Sequence, residues 1–101
     1  MNVAQVLTEA RKLIAQGWTQ GGYNRVVNGV ECWCISGAIR QAAQYDNPME
    51  LEFVDLIRAL RADDFYISSS SKLIKWNDAP DRTQEDVLDL IDRAIAKEAK
   101  A

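Results

Sequence analysis

Most proteins that shuttle protons near neutral pH do so with histidine, and this chain has none. That removes Ser-His and Cys-His nucleophiles, HExxH metal sites and the usual general base. Two thiols remain, Cys32 and Cys34, separated only by Trp33. A disulfide needs Cα atoms about 5.5 Å apart with converging side chains, so a bridge across one residue would be strained. Both are read as free thiols of a reducing compartment. Cys34 stands near a helix start, where a thiol can become a nucleophile. It also shares an apolar face with Ile35 and Ala38, and a packed core thiol without a base is the better reading.

The densest polar cluster is Trp76-Asn77-Asp78, with Arg82 close behind. As a binding site, the indole would stack on a ligand while Asn77 and Asp78 hydrogen-bond it. As structure, Trp76 fills the core and the two short polar side chains satisfy backbone groups before Pro80. The structural reading leads. A second polar-aromatic group, Tyr23, Asn24 and Arg25, lies on a Gly-rich connector and is a candidate contact patch. Carboxylates pair at Asp63-Asp64 and at Asp78 with Asp81. Neither pair sits in a DxDxDG-type loop, so solvated faces are expected and no metal site is assigned. Gly21 and Gly22 match neither GxxxxGK[ST] nor GxGxxG, so no phosphate loop and no cofactor are expected.

These groups must be held by one domain, residues 1–101, in which 48% apolar and 27% charged residues suffice for a single core. The net charge of −3 argues against general nucleic-acid binding. The first residues lack the apolar run of a signal peptide, and no stretch approaches the roughly 18 apolar residues of a membrane span. A cytoplasmic protein is expected.

Four amphipathic segments predict an all-α bundle of about four helices. Val3, Val6, Leu7, Ala10, Leu13 and Ile14 mark the first, over residues 3–16. Gly17 is expected at a left-handed C′ position, with Trp18 folding back on Leu13 or Ile14. Asn28-Gly29 is a type I′ hairpin signal. It competes with a helix over residues 31–45, whose stripe is Cys34, Ile35, Ala38, Ile39 and Ala42. Asn28-Gly29 is therefore read as the turn into that helix, with at most a short hairpin near 24–30. Its small residues mark it as the central helix. Asn47-Pro48-Met49-Glu50 starts a third helix, with Phe53, Val54, Ile57 and Leu60 inward. Residues 62–82 are the least regular, with Ser68–Ser71 as a solvated turn or flexible loop and a short extended or 3₁₀ piece within 65–76. Thr83 and Asp86 form a capping box for the last helix, whose stripe is Val87, Leu88, Ile91, Ala94 and Ile95.

Four pieces stand in order: Gly17-Trp18-Thr19-Gln20-Gly21, Trp33-Cys34-Ile35-Ser36-Gly37-Ala38, Trp76-Asn77-Asp78, and Arg82-Thr83 before Val87. Together they resemble a family of small phage and bacterial proteins known only as a domain of unknown function. The resemblance implies a small helical domain and brings no activity. The leading functional expectation is a non-enzymatic accessory protein that binds an unidentified protein partner or self-associates, using the Gly-rich connector and the serine loop. The alternative is a small-ligand or nucleotide binder built on Trp76, Asn77, Asp78 and Arg82. A histidine-free enzyme using Cys34 or Asp78 ranks third.

Overall fold

The computed structural model describes residues 2–44, 50–62 and 66–100. Helix α1, Val3–Gln16, starts at a capping box in which Asn2 Oδ1 accepts from Gln5 N–H and Gln5 Oε1 accepts from Asn2 N–H, both at 2.8 Å. Val6, Leu7, Ala10 and Ile14 form its buried face. Gly17 ends it in an extended conformation (φ −179°), not the expected left-handed one. Space is tight there: a Cβ would lie 2.6 Å from Cys32 Sγ, which would have to move, and 3.2 Å from the Glu31 carbonyl oxygen.

The all-α expectation is overturned by a two-stranded antiparallel sheet, β1 (Asn24–Val27) and β2 (Val30–Trp33), which makes the fold mixed. Asn28 (φ 52°) and Gly29 (φ 79°) both occupy the left-handed region, so they form the type I′ turn of this hairpin and do not lead into a helix. The register is Val27 opposite Val30, Val26 opposite Glu31, Arg25 opposite Cys32 and Asn24 opposite Trp33. The other edge of β2 is taken by the connector. Trp33 N–H donates to the Gly17 carbonyl at 2.9 Å, and Thr19 N–H donates to the Trp33 carbonyl at 3.1 Å. This second partner is why residues 31–33 stay extended, and α2 begins only at Ile35, running to Gln44.

Helix α3 spans Glu50–Arg61 and buries Leu56, Ala59 and Leu60. The expected Asn47-Pro48-Met49 start, the side chains of Phe53 and Val54, and the Asp63-Asp64 pair lie outside the described residues. Only half of the serine run lies outside a helix: Ser68 and Ser69 precede the eight-residue helix α4 (Ser70–Asn77) while Ser70 and Ser71 open it, and the described residues of 66–76 hold no strand. Ser69 caps α4 by accepting from Lys72 N–H at 3.2 Å. Its apolar anchors are Leu73 and Trp76. Helix α5, Gln84–Lys100, starts at the expected capping box. Thr83 Oγ1 accepts from Asp86 N–H at 3.2 Å, and Asp86 Oδ2 accepts from Thr83 N–H at 3.0 Å. Val87, Leu90, Ile91 and Ala94 are its buried stripe.

The central element is α1, not α2: it packs against α5, α2, α3 and β2. On one side α5 is tied to it by the Arg11–Asp92 ion pair. Among the described residues, no helix is long and apolar enough to cross a membrane.

Candidate functional site

Asn77 ends α4 in the interior, fully buried, and uses both ends of its amide. Its Oδ1 accepts from Trp18 Nε1–H at 2.8 Å and from the Ile35 backbone N–H at 3.0 Å. Its Nδ2 donates to the Thr19 carbonyl at 3.1 Å and to Asp78 Oδ1 at 3.0 Å. Those four bonds fill the hydrogen-bonding capacity of a primary amide. Ile35 N–H is one of the orphan donors at the start of α2, so Asn77 also serves as a cap supplied from another helix. One side chain thus joins α4, the connector and α2.

The neighbours close the same junction. Gln20 Nε2 donates to the carbonyls of Asn77 (3.0 Å) and Ala79 (2.9 Å), and Asp78 Oδ1 accepts from Gly21 N–H at 3.1 Å. Trp76 is only 5% exposed, and the Arg82 guanidinium lies 4.0 Å from its ring centroid, a cation–π distance. Arg82 Nε donates to the Trp76 carbonyl at 2.8 Å. The structure therefore brings Trp76, Asn77, Asp78 and Arg82 together, with their main polar groups and the aromatic face engaged by the protein itself. Trp18, Thr19 and Gln20 complete this lock. Sequence reading missed them because their partners lie almost 60 positions away, although Trp18 and Gln20 belong to a motif it had singled out.

Cys34 is buried, with its Sγ accepting from Gly37 N–H at 3.3 Å. Burial pushes its thiol pKa up, and nearby Asp78 adds to this. The N–H groups of Gly37 and Ser36, with Arg40, only partly oppose it. Desolvation thus outweighs the helix N-terminus, and the group is a protonated core thiol at neutral pH. Two results are expected. A thiol reagent should leave native Cys34 unmodified near neutral pH and react once urea unfolds the chain. Because the folded pKa lies above the unfolded one, the stabilisation is complete below the ordinary thiol pKa of about 8.5 and is lost as pH rises through the folded value. Thermal midpoints between neutral and alkaline pH should therefore fall more steeply in wild type than in Cys34→Ala.

Ser36 is also fully buried, yet its hydroxyl has no hydrogen-bond partner among the described residues. An orphaned buried hydroxyl costs about 1–3 kcal/mol, and alanine is the better helix former. Ser36→Ala should raise stability by about 1 kcal/mol in a denaturant titration.

Tyr23, Asn24 and Arg25 fall elsewhere, on and beside β1. The Tyr23 backbone rests on Gly37, and its ring lies under the Arg40 guanidinium at 5.3 Å from the centroid. Tyr23, Val26, Val27 and Val30 are exposed by 48%, 66%, 45% and 42%. These are four of the five large hydrophobic side chains exposed among the described residues, and all lie on one hairpin. The valines were missed as surface residues because Val-Val beside Asn-Gly also fits a core segment. Among the described residues no group of three or more Cys, Asp or Glu is placed to hold a metal ion.

A family described as a family of unknown function (DUF6197) matches residues 1–97. No curated protein and no solved structure matches.

Proposed function

The chain belongs to that family of unknown function, and from this premise we propose that it is a non-enzymatic protein-interaction module whose working surface is the β1–β2 hairpin. The observation that carries the reading is the concentration of Tyr23, Val26, Val27 and Val30 at the surface. Exposed apolar side chains gathered on one hairpin, beside an arginine and an asparagine, suit a protein contact. The serine run has no part in it, since it caps and begins α4. The ligand-binding alternative at Trp76, Asn77, Asp78 and Arg82 is disfavoured because those groups already bond to one another and to the connector. The absence of histidine and the protonated state of Cys34 speak against an enzyme. The motif resemblance supports an accessory role of phage or bacterial type, and the paucity of cysteine suits the cytoplasm.

The test is affinity capture from the native host with wild type and with a variant carrying Tyr23→Ser, Val26→Thr, Val27→Thr and Val30→Thr. All four positions are exposed, so the variant should keep its circular dichroism spectrum. A partner retained by wild type and lost by the variant is the expected result. An identical set of captured proteins would reject the hairpin as the working surface.

A further inference from the structure

The sheet has one open edge. A two-residue I′ turn makes Val27 and Val30 a hydrogen-bonded pair, so by alternation Arg25 and Cys32 form the next. The Tyr23 carbonyl then accepts from Cys34 N–H at 3.0 Å, in keeping with that alternation. Arg25 and Val27 thus turn their backbone groups towards β2, while Asn24 and Val26 turn theirs outward. No other described segment pairs with that side of β1.

Resting on the interaction reading above, we propose that this edge receives an extended acidic segment of a different protein as a third strand. Backbone bonds from Asn24 and Val26 would supply the attachment. Specificity would come from the face that carries Tyr23, Arg25 and Val27 on alternate positions, with Val30 opposite Val27. Residues 17–30 contain Arg25 and no carboxylate, in a chain whose net charge is −3. Arg25 has no ionic partner among the described residues, and the Arg40 guanidinium lies beside Tyr23 on the same strip. The one carboxylate on the hairpin, Glu31, already accepts from Asn24 Nδ2 at 2.9 Å. A glutamate or aspartate opposite Arg25, flanked by apolar residues, is the complementary pattern.

A second copy of the chain fits poorly. The antiparallel register that uses both Asn24 and Val26 places Arg25 directly opposite its own symmetry mate, a destabilising like-charge pair. The neighbouring registers keep only one bonded pair between strand residues. An arginine at the middle of an open edge is also a known device against edge-to-edge association.

The probes are short, capped, fluorescein-labelled peptides of alternating valine and glutamate, with a valine–lysine peptide of equal length as control. Fluorescence polarisation should show saturable binding of the glutamate peptide, about tenfold tighter than the lysine peptide, from exchanging an attractive for a repulsive cross-strand pair. Arg25→Glu, a surface change, should invert the preference. Methylating alternate backbone nitrogens of the glutamate peptide should abolish binding, as strand addition requires. No saturable binding, equal binding of both peptides, an Arg25→Glu variant with unchanged preference, or a dimer in sedimentation velocity would each overturn the proposal. If the peptides fail while host-protein capture still depends on the hairpin, only the acidic-strand assignment falls. If capture is independent of the hairpin, the interaction reading falls with it.

Discussion

Asn77→Ala is expected to lower the free energy of unfolding by about 3–5 kcal/mol, because it strands several buried groups that each cost about 1–3 kcal/mol without a partner. The affected groups are Trp18 Nε1–H, the Ile35 N–H and the Thr19 carbonyl, all of which now meet one amide. The loss exceeds that of an ordinary surface asparagine by several kcal/mol, since surface substitutions usually fall within about 0.5 kcal/mol. Indole emission, to which Trp18, Trp33 and Trp76 all contribute, should also change, because the variant cannot form the bond to Trp18 Nε1–H. Thermal unfolding by circular dichroism gives the magnitude. A melting temperature equal to that of wild type, or higher, would mean that Asn77 is not an anchor and would return the Trp76-Asn77-Asp78 cluster to the list of ligand sites.

Gly37→Ala is the second large effect, expected at about 2–3 kcal/mol of destabilisation. A Cβ at this position would press on the Tyr23 carbonyl oxygen and lie 2.8 Å from its carbon and 3.0 Å from its Cα. These are backbone atoms held by the Cys34 N–H bond, so they cannot rotate away. Two effects compete. Alanine is favoured over glycine inside a helix by about 1 kcal/mol. Overpacking against fixed atoms costs about 1–3 kcal/mol and sometimes more. With contacts this short the steric term wins. Gly22→Ala is the contrast: nothing lies within 4 Å of its Cβ position, so the change should be neutral or slightly stabilising. Urea midpoints of both variants check the pair. An unaffected Gly37→Ala protein would show that the connector does not rest on α2 as described.

What could be read in the chain divides by the range of the interaction. The faces of α1 and α5 follow from periodicity, and the α5 start from Thr83 with Asp86, because these are contacts between residues three or four apart. The hairpin was visible in Asn28-Gly29 but lost to a helical stripe that begins at Cys34. What decides between them is the connector bonding to Trp33, a contact across 14–16 positions that no local pattern contains. The serine run misled for a related reason. An eight-residue helix has little stability of its own, and α4 forms because Leu73 and Trp76 are buried and Asn77 is bonded.

The candidate site was legible to the same depth. Trp76, Asn77, Asp78 and Arg82 stood out as a cluster, and the lock they form is the structural role that the sequence favoured. Their partners Trp18, Thr19, Gln20 and Ile35 are remote in sequence, so the number of bonds resting on Asn77 was not foreseeable. The hairpin surface was seen only in part: Tyr23, Asn24 and Arg25 stand out for their polarity and aromaticity, while the exposure of Val26, Val27 and Val30 depends on a two-stranded sheet that leaves their side chains in solvent.

The Asn77 junction holds the fold, whereas the exposed side chains of Tyr23, Val26, Val27 and Val30 contribute little to it. One urea titration followed by indole fluorescence tests this contrast most directly, comparing wild type, Asn77→Ala and the hairpin variant with Tyr23→Ser, Val26→Thr, Val27→Thr and Val30→Thr. A large downward shift in midpoint is expected for Asn77→Ala and little change for the hairpin variant. A hairpin variant that unfolds as easily as Asn77→Ala, or an Asn77→Ala protein as stable as wild type, would contradict it.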